Sequence, residues 1–137
     1  MYLELDNNLN IGIQKIDDQH KELFKCLNQL LVSMKDGDGK SEVIKTLNFL
    51  EDYVYKHFED EENIQKKYNY SKYNEQHNQH EQFKKELKKL RETFQKQGTS
   101  TLLALNAQKN IVTWCKNHIM ILDKELGDYL NKNSLNK

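Results

Sequence analysis

Residues 47–64 read LNFLEDYVYKHFEDEENI, and their apolar side chains recur at alternating steps of three and four. A stripe of this spacing starts at Leu47 and passes through Val54, which is typical of a helix face packed against its neighbours. The stripe then continues through His57 and Glu61 before it returns to an apolar side chain. The spacing therefore predicts a helix whose buried face changes from hydrocarbon to imidazole and carboxylate.

Three other segments carry the same helical period, with turn signals between them. The inner positions predicted for the first helix are Phe24, Leu27, Leu31 and Met34, and those for the second are Leu47, Leu50, Val54, His57, Glu61 and Ile64. Those predicted for the third helix are Tyr73, Gln76, His80, Phe83, Leu87, Leu90 and Phe94. Those predicted for the fourth helix, from about Thr101 to Leu130, are Leu103, Ala107, Ile111, Trp114, His118 and Ile121. Short loops make sequential helices antiparallel neighbours, so we predict an all-α, antiparallel up-down-up-down four-helix bundle.

Helix boundaries are predicted from capping residues. The predicted N-caps of the first three helices are Asp17 or Asp18, Ser41 and Ser71. The glycines of DGDGK (36–40) and Gly98 are predicted to end the first and third helices. An irregular arm is expected up to about Ile16, and proline, which breaks helices, is absent. At 137 residues the chain is expected to form one domain over residues 1–137.

The charge balance and the cysteine content narrow the functional class. The 21 basic and 21 acidic residues cancel, so there is no basic excess to favour nucleic acid or an anionic membrane. No apolar run approaches the length of a membrane span, and the start MYLELDNNLN lacks the features of a signal peptide. Two cysteines, Cys26 and Cys115, fit a reducing compartment. We therefore expect a cytoplasmic protein.

Four of the chain's five histidines lie on or beside a predicted inner stripe, and each of the four helices contributes at least one histidine. The five are His20, His57, His77, His80 and His118. A single buried histidine is usually satisfied by a hydrogen bond, but each unpaired buried polar group costs about 1–3 kcal/mol. A small domain has only about 5–15 kcal/mol of net stability. A shared metal centre would compensate for several such groups at once.

The ligand types favour iron, manganese or zinc, because imidazole and carboxylate are present and cysteine is absent from the pattern. About seven candidate ligands would over-coordinate one ion, so two ions bridged by carboxylates and a hydroxide fit better. This chemistry alone leaves oxygen binding, oxidation and hydrolysis open.

Four motifs together resemble the hemerythrin family, and specifically its single-domain bacteriohemerythrins. They are LNIGIQKIDDQHKELF (9–24), HFEDEE (57–62), HEQF (80–83) and WCKNHIMILD (114–123). The resemblance implies two non-heme iron ions bridged by a hydroxide or oxide. It implies that His20 and His57 hold one ion, that His80 and His118 hold the other, and that Glu61 and Asp123 bridge them. Asp123 follows His118 by five residues, about 140° around an ideal helix, so its assignment rests on the resemblance.

The chain departs from the family pattern at two places near this site. The family's fifth histidine precedes the residue matched by His80 by four positions, where this chain has Gln76. We predict that His77 ligates instead, because imidazole is a better iron ligand than an amide; the alternatives are Gln76 or a water. Cys115 stands where the family commonly has leucine. The residues predicted to line an oxygen pocket are Trp114, Cys115 and Phe24.

The resemblance implies reversible dioxygen binding by a carrier, storage or delivery protein, with the open coordination position at His20 and His57. No enzymatic activity is expected. The expected partners are dioxygen and an unidentified reductant or oxygen-accepting protein, and the chain is expected to be a monomer or weak oligomer. An oxidoreductase (ferroxidase, peroxidase or nitric-oxide chemistry), favoured slightly by Cys115, a sensing module and a metal-free structural bundle remain alternatives.

Overall fold

The computed structural model describes residues 10–36, 40–98 and 100–133, and all regular structure within those ranges is helical. Helix α1 covers Gln14–Lys35, α2 covers Lys40–Lys67 and α3 covers Tyr73–Gln97. Helix α4 covers residues 101–132 and contains two π-helical turns, Gln108–Val112 and Ile119–Asp123. Over this part of the chain, every helix is too polar or too short for a membrane span.

The four helices enclose one core. Helix α1 packs against α2 and α4, and α3 packs against α2 and α4. All four inner residues predicted for α1 are buried, and so are those of α2 except Ile64 and those of α3 except Tyr73, which are half-buried. The period of three and four therefore located the core of the first three helices correctly.

The prediction for α4 was wrong at its last inner position. Ile121 is 61% exposed, whereas Leu122 and Asp123 are buried. The physical reason is the π-helical turn at Ile119–Asp123, in which i→i+5 hydrogen bonds replace i→i+4 bonds. The extra residue in this turn moves the inward-facing side chains one position along the sequence.

The predicted N-caps were also wrong. Helix α1 begins three residues before Asp17, with Ile13 as its N-cap, and α3 has Lys72 as its N-cap rather than Ser71. Ser41 lies inside α2, and the predicted glycine stop of α1 lies at residues 37–39, outside the described residues. Gly98 does end α3, with φ +73° and its N–H donating to the carbonyl of Phe94.

Asp17 anchors the segment before α1 instead of capping the helix. Its carboxylate accepts hydrogen bonds from the backbone N–H groups of Ile11, at 2.8 Å, and Gly12, at 3.2 Å. The segment lies directly on α4, because a Cβ on Gly127 would overlap the carbonyl oxygen of Ile11. A glycine at position 127 is therefore required for this close approach. The predicted arm over residues 1–9 lies outside the described residues.

Candidate metal centre

Each helix contributes buried polar side chains to one cluster inside the bundle. The cluster consists of His20 from α1, His57 and Glu61 from α2, Gln76 and His80 from α3, and His118 and Asp123 from α4. None of these residues is more than 5% exposed. Their donor atoms form two groups that could each hold a metal ion: His20, His57, Glu61 and Asp123 in one, and Glu61, His80 and His118 in the other.

Glu61 faces both groups with different oxygens. Its Oε2 lies 3.5 Å from Nε2 of His57 and 3.9 Å from Nε2 of His20. Its Oε1 lies 3.1 Å from Nε2 of His80. The four-residue step from His57 to Glu61 is regular, so α2 brings both side chains to the same face.

Asp123 is the corresponding carboxylate on the other side of the cluster. Its Oδ2 lies 3.2 Å from Nε2 of His20, and its Oδ1 lies 3.3 Å from Nε2 of His118. On a regular helix a residue five positions after His118 would point about 140° away. The π-helical turn Ile119–Asp123 removes this mismatch and brings both side chains to the inner face.

Glu61 and Asp123 therefore each direct one oxygen at His20 and the other at the pair of His80 and His118. Several buried atoms of the cluster have no hydrogen-bond partner among the described residues, namely both ring nitrogens of His20, Oε2 of Glu61, Oε1 of Gln76 and Nε2 of His118. Such atoms destabilise a fold unless something pairs with them. A pair of divalent cations would satisfy them, and imidazole with carboxylate is a suitable donor set. The residues therefore fit a two-metal centre.

Three of the histidines are oriented by side chains that the sequence interpretation missed. Nδ1–H of His57 donates to Oε1 of Gln19 at 2.8 Å, and Nδ1–H of His118 donates to Oε1 of Gln79 at 2.8 Å. Nδ1–H of His80 donates to Oε2 of Glu62 at 2.7 Å. Each bond leaves the Nε2 lone pair directed at the cluster, which is how ligating histidines are usually supported.

A sequence signal for two of these supports exists in hindsight. The dipeptide Gln-His occurs at 19–20, 76–77 and 79–80. At the first and third of these, the glutamine supports a histidine on the adjacent helix rather than the one that follows it, since Gln19 binds His57 and Gln79 binds His118. A glutamine just beside an inner stripe can reach a neighbouring helix, but the partner depends on the packing.

The pKa values of the two carboxyl groups that face both imidazole pairs are shifted in opposite directions. Burial, followed by the charge of Asp123, raises the pKa of Glu61 well above its ordinary value. Burial would also raise the pKa of Asp123, but the neighbouring imidazoles of His118 and His20 outweigh it and lower that pKa well below its ordinary value. Burial, followed by the charge of His20, lowers the pKa of His57, which keeps this imidazole neutral.

The preference for His77 over Gln76 is corrected by the placement of the two side chains. The His77 side chain is 43% exposed, and its Nδ1–H donates to Oε1 of Glu62 at 2.8 Å. Gln76 is fully buried, and its amide nitrogen donates to Oδ1 of Asp123 at 3.1 Å. The cause is the regular geometry of α3, in which Gln76 and His80, four apart, share the inner face.

The three residues predicted to line an oxygen pocket lie in different surroundings. Trp114 is half-buried and stacks on the His118 ring, with centroids 4.7 Å apart. Cys115 and Phe24 are buried in the core. Burial, with a further contribution from the charge of Asp123, raises the pKa of Cys115, so this side chain is a protonated thiol. Their role as a pocket lining stays a prediction.

Helices around a buried set of imidazoles and carboxylates define a class of metal-binding helical bundles. The family described as hemerythrin HHE cation binding domain matches residues 11–130, and the chain belongs to the hemerythrin family. It is similar to a bacteriohemerythrin of Pseudomonas paraeruginosa, 35% identical over 63 residues, which are 46% of this chain and 40% of the relative. It is similar to a bacteriohemerythrin of Methylococcus capsulatus, 40% identical over 62 residues, which are 45% of each chain. The matched segments span less than half the length of either relative.

Proposed function

We propose that this protein binds dioxygen reversibly at a pair of iron ions held by the cluster, as a carrier, storage or delivery protein. The observation that supports this best is the pair of carboxylates, Glu61 and Asp123, that each face both imidazole pairs. When bound, two ferrous ions would supply two electrons and an open coordination position for dioxygen. A bridging hydroxide or oxide would complete the centre.

The distances between the donor atoms suggest how the ligands would be shared between the two ions. His20 and His57 would hold one ion, and His80 and His118 would hold the other. Gln19, Gln79 and Glu62 would keep three of the imidazoles in the tautomer that ligates through Nε2. With these supports in place, little reorganisation is needed when a cation enters.

The cluster is shielded from solvent, since none of its residues is more than 5% exposed. Phe58 stacks on the His80 ring with centroids 3.8 Å apart, and Trp114 stacks on the His118 ring. A dry site with no strong acid beside it protects reduced dioxygen from protonation and loss. The protonated thiol of Cys115 is a poor nucleophile, so it gives no support to a redox enzyme. We therefore propose a binding function without enzymatic turnover.

The test is to load the protein anaerobically with ferrous iron, count the iron and measure dioxygen uptake. We expect two irons per chain, one dioxygen per iron pair, and a visible absorption that appears in air and disappears under vacuum. The variant His57→Leu should lose dioxygen uptake, whereas His77→Leu, in which the altered histidine lies outside the cluster, should retain it. Catalytic consumption of dioxygen, peroxide or ferrous iron would instead favour an oxidoreductase, and fewer than two irons would contradict the proposal.

We further propose that the helices run up-down-up-down in alternating directions. Pairings between α2 and α3 support this, because Arg91 contacts Glu51 whereas His80 contacts Glu62, so one residue number rises as the other falls. A cytoplasmic location is proposed from Cys26 and Cys115, which are both free. An unidentified reductant, or a protein that accepts dioxygen, would be the partner.

A further inference from the structure

Gln76 is a polar side chain whose two amide atoms have different surroundings. It is fully buried on α3, one turn before His80. Its Nε2 donates to Oδ1 of Asp123 at 3.1 Å, whereas its Oε1 has no hydrogen-bond partner in the described part of the chain. A buried amide oxygen without a partner is unfavourable and needs an electropositive neighbour.

The orientation of this amide follows from chemistry. An ionised carboxylate can only accept hydrogen bonds, so the amide nitrogen must face Asp123 and the oxygen must point elsewhere. The Asp123 oxygen that accepts this bond is Oδ1, which also lies 3.3 Å from Nε2 of His118. The amide therefore lies beside the metal position of His80 and His118.

We propose that Oε1 of Gln76 is a direct ligand of the metal position formed by His80 and His118. This inference rests on the metal centre of the proposed function. It adds an amide oxygen to the histidine and carboxylate donors described above. Amide oxygens ligate divalent cations, although imidazole binds first-row transition metals more strongly. The position would thus have five protein ligands, and the other would have four.

Two consequences follow for the chemistry of the centre. With only four histidine ligands, the two ions would still have different numbers of protein ligands. The open position for dioxygen would therefore remain at the ion held by His20 and His57. The ion beside Gln76 has one protein ligand more than the other ion, so it binds first and exchanges more slowly.

The test is a titration of the metal-free protein with cobalt chloride, followed by visible absorption and calorimetry. The wild-type chain should bind two Co²⁺ ions in two steps, the second weaker. Gln76→Leu, which keeps the volume and removes the oxygen, should weaken only the first step, by at least about 10-fold, the smallest loss that is usual even for residues that only support a metal ligand. Gln76→His should strengthen the first step, because imidazole is the better ligand.

Gln65 provides a matched control. It is also fully buried, it lies on α2 one turn beyond Glu61, and both its amide atoms lack a partner within the described ranges. Gln65→Leu should leave both binding steps unchanged. An equal loss in Gln65→Leu and Gln76→Leu would overturn the inference, because any buried amide would then have the same effect.

Other results would also overturn the inference. If Gln76→Leu weakens both steps equally, Gln76 acts through Asp123, which both ions share. If Gln76→Leu does not fold, the variant Gln76→His tests the inference instead, since an unchanged first step would mean that side chain 76 does not reach the ion. A wild-type chain that binds no second ion would contradict the proposed function as well, whereas two ions with unaffected variants would contradict this inference alone.

Discussion

Helices α3 and α4 bring polar side chains to the same cluster with different backbone geometries. Helix α3 is regular, and its Gln76 and His80 share a face because they are four residues apart. Helix α4 places His118 and Asp123, five residues apart, on one face through a π-helical turn. The inner polar face of a helix can therefore follow either of two periods within one bundle, and only one of these periods is visible in the sequence as a regular stripe.

Removing one residue should destabilise the protein in α3 and be tolerated in α4. This difference in stability is the largest effect that we expect. Deleting exposed Lys88 from α3 would turn Leu90 and Phe94 by about 100° relative to the rest of the helix. Losing two such core side chains should lower the free energy of unfolding by more than about 5 kcal/mol. Deleting exposed Ile121 from α4 should convert the π-helical turn into an α-helical one.

The second deletion would leave Asp123 four positions after His118 and still on the same face. We expect this variant to fold and to bind two Co²⁺ ions. Circular dichroism during urea unfolding and cobalt titration measure both outcomes. Equal damage by the two deletions would show that the π-helical turn is not an inserted residue in an otherwise regular helix.

Asp123→Ala on α4 should have a broader effect on metal binding than Gln76→Leu on α3. Its two oxygens face different imidazole pairs, at 3.2 Å from His20 and 3.3 Å from His118. Both cobalt-binding steps should therefore weaken by more than about 100-fold, beyond the usual effect of a supporting residue. The nearby substitution Asp128→Ala, at an exposed position of the same helix, is the control. Loss of one step alone would contradict the bridging position of Asp123.

The regular helices explain how much of the fold and site was predictable from sequence. The inner stripes of α1, α2 and α3 were correct because a single period of 3.6 residues holds through each of them. Ile121 was misplaced because nothing in the composition of residues 119–123 marks the π-helical turn. Position 123 was identified only through the family resemblance, since periodicity alone points elsewhere.

The choice between His77 and Gln76 failed for a different reason. Ligand strength favours imidazole, but helix geometry determines which side chain reaches the cluster, and geometry was the stronger constraint. The supports of the ligands were missed because each of them pairs across helices. Gln19 and His57 are 38 residues apart in sequence, and Gln79 and His118 are 39 apart.

Acid should weaken the support of His80 on α3 more than that of His118 on α4, because a carboxylate holds the first and a neutral amide the second. Burial alone would raise the pKa of Glu62, but hydrogen bonds from His80 and His77 outweigh it and lower that pKa from 4.5 to about 2. A carboxyl with a lowered pKa stabilises the fold above pH 4.5, and this stabilisation is lost as the pH falls towards 2.

Urea unfolding of the metal-free protein between pH 5.5 and pH 3, about the range in which Glu62 begins to lose its contribution, measures this effect. Glu62→Gln should reduce the loss of stability over that range relative to the wild type. Glu59→Gln, at an exposed position of the same helix, should leave the loss unchanged. Identical pH dependence of all three proteins would contradict the assignment.

Ile121→Lys should have the smallest effect, because the π-helical turn leaves this side chain 61% exposed. The free energy of unfolding should change by no more than about 0.5 kcal/mol. Ile119→Ala is the contrasting variant, since Ile119 is 2% exposed and its truncation should cost about 2–5 kcal/mol. A large loss of unfolding free energy in Ile121→Lys, measured by urea unfolding, would instead show that Ile121 faces inward, as the regular stripe predicted for α4.

The contact of the first described residues with α4 has a consequence for the connectivity of the chain. Asn131 donates to the carbonyl oxygen of Gly12, and Ile11 lies against Gly127, so the two ends of the described chain are neighbours. A short linker could join them, and the chain could be opened between α1 and α2. This circular permutant would cut none of the helices that carry the cluster, and it should bind the same two cations with a different order of helices along the chain.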